Sequence, residues 1–208
     1  MTVTAHSGAY DTEDNTLFSV KEIVRHQKNI QIIELDLTFR PDGFPVMLHA
    51  ENAKITEGES FEEALLYIAE NSDLSINIDL KNFNPEFLPA VNELIKKYDM
   101  LGRVFFTGVS YDKADTVKSS CPDIRFYINH LTPLFTQKAI NDFIEKIIEK
   151  QALGTNIHYG IASKKLSDSL HEKGLLLSVW TVNDKKTADK LKKICVDNIT
   201  SRNPDIII

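Results

Sequence analysis

Residues 32–49 read Ile-Ile-Glu-Leu-Asp-Leu-Thr-Phe-Arg-Pro-Asp-Gly-Phe-Pro-Val-Met-Leu-His, two mostly apolar runs on either side of a Pro-Asp-Gly segment. The first run, 32–38, is largely apolar, which is typical of a strand covered on both faces. The following Pro-Asp-Gly predicts a tight turn, because proline presets one backbone dihedral and glycine accepts a positive one. Residues 45–49 are again mostly apolar. We therefore predict a buried strand that continues into a hairpin.

On both sides of this hairpin, short apolar runs alternate with longer amphipathic ones. The apolar runs predict strands at 2–5, 75–81, 103–108, 124–129, 153–158, 175–182 and 196–201. The amphipathic runs predict a helix that starts at Ser60 and helices at 14–27, 85–98, 112–119, 136–150, 163–173 and 185–194. This α/β alternation predicts a (β/α)8 barrel, and an open doubly wound sheet would also fit it. Because no linker-like segment interrupts the pattern, we expect residues 1–208 to form a single domain.

The charge balance narrows the classes of partner. A net charge of −6 argues against a nucleic-acid or anionic-membrane surface, so an anionic substrate would need a local positive centre. The N-terminal residues lack a basic region followed by an apolar stretch, and no apolar run is long enough to span a membrane. We expect a cytoplasmic protein with no stable membrane insertion, and the sequence leaves its oligomeric state open.

Acidic residues stand out on two of the predicted strands. Glu34 and Asp36 alternate along one strand, so both side chains point to the same face, and Asp79 lies on the next. Two like charges on an apolar strand are costly to bury unless a cation neutralises them. Three carboxylates would suit Mg²⁺ or Ca²⁺ better than zinc. Solvation of these carboxylates at the barrel rim is the alternative.

Other reactive side chains fall near strand ends, where barrel enzymes carry their active sites. His6 and His49 could serve as a base or nucleophile and as an acid. Lys81 could contact a phosphate oxygen or pair with the carboxylates. Trp180 could be a core residue or an apolar wall for a substrate.

These motifs together resemble those of the glycerophosphodiester phosphodiesterase family over nearly the whole chain. In order, the similar segments are 5–8 (Ala-His-Ser-Gly), 14–16 (Asp-Asn-Thr), 33–38 (Ile-Glu-Leu-Asp-Leu-Thr), 42–43 (Asp-Gly), 46–49 (Val-Met-Leu-His), 76–81 (Ile-Asn-Ile-Asp-Leu-Lys), 178–183 (Ser-Val-Trp-Thr-Val-Asn) and 199–204 (Ile-Thr-Ser-Arg-Asn-Pro). Each segment alone is a weak signal, but their shared order and compatible spacing are specific.

The resemblance implies a barrel that hydrolyses a glycerophosphodiester, a small molecule, to sn-glycerol 3-phosphate and an alcohol. It implies one divalent cation, Mg²⁺ or Ca²⁺, held by Glu34, Asp36 and Asp79. It implies catalytic roles for His6 and His49. The expected substrate or phosphate contacts are Lys81, Trp180 and Ser7.

Several positions depart from the family pattern. Ser7 replaces an arginine, Ala50 replaces an aspartate, and Asp14 and Asp79 replace glutamates. The segment 50–59 is also short where the family carries an inserted cap, which predicts a more open mouth. These departures leave two alternatives: a phosphodiesterase for another diester, such as a lysophospholipid or one that yields a cyclic phosphate, and a barrel that binds a phosphorylated ligand without turnover.

Overall fold

Eight parallel strands close into a ring in a computed structural model that describes residues 1–207. Around the ring the order is β1, β2, β5, β6, β7, β8, β9 and β10, and β10 pairs back with β1. The strands are β1 Thr2–Ala5, β2 Ile32–Phe39, β3 Pro45–Met47, β4 Glu59–Ser60, β5 Ser75–Leu80, β6 Val104–Val109, β7 Arg125–His130, β8 Gly154–His158, β9 Leu176–Trp180 and β10 Asn198–Ser201. The closed ring confirms the predicted (β/α)8 barrel and rules out the open sheet.

Within residues 1–207, seven α-helices cover the outside of the ring. They are α1 Leu17–Arg25, α2 Phe61–Asn71, α3 Leu88–Lys97, α4 Ala114–Ser120, α5 Gln137–Lys150, α6 Lys164–His171 and α7 Lys185–Lys193. Several begin at the residue types that cap helices: at α2, for example, the Ser60 hydroxyl accepts a hydrogen bond from the Glu63 amide at 3.2 Å. Apolar faces of these helices pack on the strands, and all eight residues of β2 are buried.

The predicted hairpin extends β2 beyond the ring. β3 runs antiparallel to β2, with Leu37 opposite Met47, and the two-residue strand β4, which the sequence did not indicate, pairs with β3. Gly43 has φ +83° in the turn, the positive dihedral that the Pro-Asp-Gly motif predicted. β3 ends at Met47 rather than continuing to His49. The end of the strand places His49 beside β2, at the mouth of the barrel.

The contact between β8 and β9 leaves no space for a side chain at Gly154. A Cβ atom on Gly154 would lie 1.9 Å from the Leu176 carbonyl oxygen, whereas one on Gly102 would have no neighbour within 4 Å. We expect Gly154→Ala to lower the free energy of unfolding by about 3 kcal/mol, since the backbone of a packed strand has to move. Gly102→Ala is the control, and urea unfolding of Gly154→Ala, Gly102→Ala and the wild type measures the effect. Equal midpoints for the two variants would contradict the prediction.

The helices α1 to α7 are 7 to 14 residues long. None among residues 1–207 is long and apolar enough to cross a bilayer.

Candidate active site

Three carboxylates meet at the carboxyl ends of two neighbouring strands. Asp36 on β2 lies directly opposite Asp79 on β5, and Glu34 lies two residues before Asp36 on the same face. One carboxylate oxygen from each residue lies within 4.8 Å of the others. Glu34 and Asp36 are buried and Asp79 is partly buried, so the arrangement is a pocket of hard oxygen ligands rather than a solvated rim.

The charges in this carboxylate cluster are incompletely balanced. Burial raises the pKa of Glu34 well above its usual range, and the charges of Asp36 and Asp79 raise it further. Lys81 is the cation beside them, with Nζ 3.0 Å from Asp36 Oδ1 and in closer contact with Asp79 Oδ2. Burial would lower the pKa of Lys81, but Asp79 and Asp36 outweigh it and raise that pKa. The cluster holds three acidic groups and only the Lys81 ammonium beside them, and this excess of acidic groups favours binding of a further cation.

Asn15 holds Asp36 in place. Its side-chain amide donates to Asp36 Oδ2 at 2.7 Å, and its carbonyl oxygen accepts from the Asp36 backbone amide at 3.1 Å. Asn15 is buried and has φ +59°, a conformation that asparagine tolerates better than most residues. Burial would raise the pKa of Asp36, but Lys81 and Asn15 outweigh burial, and the pKa is lowered. Asp36 is therefore a fixed, ionised carboxylate.

The two histidines touch different members of the cluster. His6 Nδ1 lies 2.5 Å from the Ser7 carbonyl oxygen and 3.7 Å from Glu34 Oε2. Since a carbonyl can only accept, Nδ1 carries the proton and the lone pair is on Nε2. Burial lowers the pKa of His6, which favours this neutral form. His49 Nδ1 donates to Asp36 Oδ2 at 3.0 Å, and its ring is largely exposed. His6 is thus held in its neutral form, and His49 is hydrogen-bonded to a carboxylate.

A cavity of about 470 Å³ connects these groups. It is lined by all but one of the residues that the sequence singled out: His6, Glu34, Asp36, His49, Asp79, Lys81 and Trp180. Trp180 Nε1 and Asn156 Oδ1, both in the wall, are buried polar atoms without a hydrogen-bond partner among residues 1–207. They offer a donor and an acceptor to a polar ligand. The cavity has the size and polarity of a small-molecule site.

Ser7 is the exception among the selected residues. It is buried, its hydroxyl accepts from the Asn15 backbone amide at 2.5 Å, and its own amide donates to Glu34 Oε2 at 3.0 Å. Ser7 is not among the cavity-lining residues within 1–207, so its described contacts support Asn15 and Glu34. A phosphate contact through its hydroxyl stays a prediction.

Arg202 is a charged residue near the site that the sequence did not indicate. Its guanidinium makes two hydrogen bonds to the carboxylate of Asp14, and it lies over Gly8, where an added Cβ would be 2.9 Å from the guanidinium. The positive charge of Arg202 contributes to lowering the pKa of His6, after burial. No local spacing could reveal an ion pair between residues 188 positions apart in the chain.

Comparison with known proteins places this chain in a family. The model of the glycerophosphoryl diester phosphodiesterase family matches residues 59–206. A Bacillus subtilis protein described as a candidate glycerophosphodiester phosphodiesterase is 24% identical over 100% of this chain and 97% of its own length. The matched range contains Asp79, Lys81 and Trp180. It begins after His6, Glu34, Asp36 and His49, so the roles proposed for these four residues are argued from the geometry of the site.

Solved structures agree in fold. A candidate glycerophosphoryl diester phosphodiesterase of Silicibacter pomeroyi superposes with a TM-score of 0.85 at 15% identity, covering 100% of this chain and 91% of the other. A phosphodiesterase of Oleispira antarctica, solved with the product sn-glycerol-3-phosphate, has a TM-score of 0.82 at 20% identity and covers 100% and 95%. The predicted class of enzyme, a phosphoric diester hydrolase, is confirmed by the family match. The chain belongs to the glycerophosphoryl diester phosphodiesterase family.

Proposed function

We propose that this protein hydrolyses glycerophosphodiesters to sn-glycerol 3-phosphate and an alcohol, with one divalent cation, Mg²⁺ or Ca²⁺, held by Glu34, Asp36 and Asp79. The observation that carries the proposal is the meeting of three carboxylates, two histidines and one lysine in a single cavity. The product bound to the Oleispira antarctica phosphodiesterase, which shares the fold, supports the choice of glycerol 3-phosphate.

The carboxylate cluster has the donor chemistry for such an ion. Its donors are hard oxygens. Burial and then the charges of Asp36 and Asp79 raise the pKa of Glu34, and a bound cation would relieve the repulsion among these acids. A bound divalent cation supplies positive charge that polarises the phosphoryl oxygens and offsets their negative charge. Lys81 adds a second positive group at the same edge of the cavity, where its ammonium can contact a phosphate oxygen.

His6 and His49 each carry out one of the two proton transfers of the reaction. His6 is neutral with its lone pair on Nε2, so it accepts a proton from the attacking water, whose oxygen bonds to phosphorus. His49 donates a proton to the leaving alkoxide, and the Asp36 carboxylate, 3.0 Å from His49 Nδ1, orients its ring. The bond between phosphorus and the alcohol oxygen breaks, and the phosphate remains on glycerol. Trp180 forms one wall of the site for the substrate.

Release of sn-glycerol 3-phosphate from glycerophosphocholine tests the proposal. The assay compares Mg²⁺, Ca²⁺ and EDTA with the full chain. We expect release that depends on the metal and stops with EDTA. Binding of glycerophosphocholine without turnover under either metal would reject hydrolysis in favour of a phosphate-binding barrel.

Asn15 provides a test of how the cluster is positioned. Asn15→Gly keeps the positive φ accessible but removes both hydrogen bonds to Asp36. We expect kcat/KM to fall about tenfold, since each hydrogen bond to a charged group is worth roughly 1.5–3 kcal/mol and part of the loss is recovered by water. Steady-state kinetics measure the effect, with Asn71→Gly on the surface of α2 as the control. Unchanged kinetics in Asn15→Gly would show that Asp36 is held without it.

A further inference from the structure

Asn156 is a buried polar residue of the cavity wall to which the proposed hydrolysis assigns no role. It lies on β8, is 5% exposed and lines the cavity, yet its Oδ1 has no hydrogen-bond partner among residues 1–207. Native structures rarely leave a buried amide oxygen unpaired, because the lost hydration is costly. An occupant of the cavity can supply the missing partner.

Two other buried asparagines on barrel strands have amide oxygens that are already hydrogen-bonded. Asn77 Oδ1 accepts from the Thr107 hydroxyl at 2.8 Å, and Asn198 Oδ1 accepts from the Thr4 hydroxyl at 2.9 Å. The unpaired oxygen is therefore not a general property of this polar interior. It distinguishes the part of the cavity wall where Asn156 lies.

Trp180 places a second unpaired polar atom near Asn156. In the parallel pairing of β8 and β9, Asn156 lies opposite Ser178 and His158 opposite Trp180, so Trp180 is on the next strand, two residues nearer the mouth. Trp180 Nε1 is also buried and without a partner within residues 1–207. An indole N–H only donates, whereas the side-chain amide of asparagine offers an acceptor and a donor. A hydroxyl group, which both donates and accepts, matches both side chains.

Asn156 and the carboxylate cluster lie on opposite sides of the barrel. Three strands separate β8 from β2 in either direction around the ring, and β2 carries Glu34 and Asp36. In the proposed reaction, the phosphate lies at the carboxylates, and the leaving oxygen lies beside the exposed ring of His49. The part of the substrate that extends across the cavity toward β8 is then the glycerol that stays on the phosphate.

We propose that Asn156 is a specificity-determining residue, whose side-chain amide hydrogen-bonds the terminal hydroxyl of the retained glycerol. Trp180 Nε1 donates to an oxygen of the same glycerol. The proposal rests on the proposed function and adds the groups that select a hydroxyl on the retained side of phosphorus. A substrate without this hydroxyl leaves buried polar atoms unpaired, and a site built to bond a hydroxyl discriminates strongly against such an analogue.

Two diesters that both release choline test this proposal. sn-Glycero-3-phosphocholine carries the terminal hydroxyl, and the phosphocholine ester of propane-1,2-diol, with the same configuration at the middle carbon, has a methyl group in place of the hydroxymethyl group. We expect kcat/KM for choline release to be about 10- to 100-fold higher for the glycerol diester. A ratio near one in the wild type, with both diesters cleaved, would overturn the role of Asn156 and leave the proposed hydrolysis intact.

Asn156→Leu removes the amide and keeps a side chain of similar size. We expect the ratio of the two kcat/KM values to fall at least about fivefold, since leucine cannot bond the hydroxyl. Asn92→Leu is the matched control and should keep the wild-type ratio. Asn92 is also a buried asparagine with an unpartnered Oδ1, but it lies on α3 and is not among the cavity-lining residues within 1–207.

Thermal unfolding checks that each variant is folded, and Asn156→Ala repeats the measurement if Asn156→Leu does not fold. A high wild-type ratio that substitution of Asn156 leaves unchanged would overturn the proposal, because another group would then select the hydroxyl.

Binding separates failure of this proposal from failure of the proposed hydrolysis. Trp180 is the sole tryptophan and lines the cavity, so its fluorescence reports on ligand entry. If neither diester is cleaved, tighter binding of the glycerol diester than of its analogue, with the difference lost in Asn156→Leu, would support the hydroxyl site while the proposed hydrolysis fails. Equal binding of the two diesters, or binding of neither, would overturn the hydroxyl site as well.

Discussion

Replacing His6 with alanine is expected to lower the kcat/KM for release of sn-glycerol 3-phosphate from glycerophosphocholine by about 10³-fold. General acid–base catalysis contributes roughly 10²- to 10⁴-fold, and the partly buried, neutral His6 is the proposed base. Its contacts are with the Ser7 carbonyl and Glu34, so the loss of the ring leaves the barrel strands intact. Steady-state kinetics at saturating metal measure the effect.

His26→Ala is the control for this substitution. His26 caps α1 and stacks on Tyr10 at 4.4 Å, and it is not among the cavity-lining residues within 1–207. We expect it to retain wild-type kinetics. If His6→Ala retained more than a tenth of the wild-type kcat/KM while remaining folded, His6 would not be the base, and the assignment would have to pass to another group.

A saturating divalent cation is expected to raise the midpoint of thermal unfolding by about 5–10 °C. At 100 times its Kd, a ligand that binds only the folded state contributes about 2.7 kcal/mol, and each kcal/mol shifts the midpoint by about 2–4 °C in a domain of this size. Glu34→Gln is expected to abolish most of this shift and to reduce turnover by at least about 10²-fold, since it removes one of the three proposed ligands. Calorimetry with and without EDTA measures the shift independently of activity.

The stability of the metal-free protein provides a second test of the same substitution, Glu34→Gln. Burial and the nearby acids raise the pKa of Glu34, so its ionised form is disfavoured in the folded state at neutral pH. Glu34→Gln should therefore leave the metal-free protein at least as stable as the wild type. Asp73→Asn, an exposed acid in the turn before β5, is the control and should keep the full metal-induced shift. A shift of equal size in Glu34→Gln would remove Glu34 from the metal site.

The barrel, and the set of residues that its cavity brings together, could be predicted because both depend on local patterns. The alternation of Glu34 and Asp36 on an apolar strand fixes their common face, and strand order then brings Asp79 beside Asp36. His6 and His49 followed from their positions near strand ends, although β3 stops before His49. Closure of the ring was not decided by periodicity, because an open sheet has the same alternation.

The supporting contacts could not be predicted, because they join residues that are distant in sequence or depend on backbone conformation. Asn15 binds Asp36 through a left-handed backbone at position 15, and Arg202 pairs with Asp14 only after the ring closes. The motif at 5–8 predicts Ser7 as a substrate contact, which stays a prediction, and the described contact of its hydroxyl is with the Asn15 backbone amide. Motif position thus predicts which residues line the cavity better than it predicts the groups that orient them.

The pairing of β10 with β1 has a consequence for the order of folding. Thr2 lies opposite Asn198, so this seam joins residues almost the whole chain apart, whereas β1 needs only β2 for its other partner. Closing so long a loop is entropically unfavourable and slow compared with forming helices or neighbouring strand pairs. His6 follows β1, and Thr200 of β10 also lines the cavity, so the complete pocket exists only once the seam has formed. During refolding, recovery of catalysis will therefore lag behind recovery of helical content.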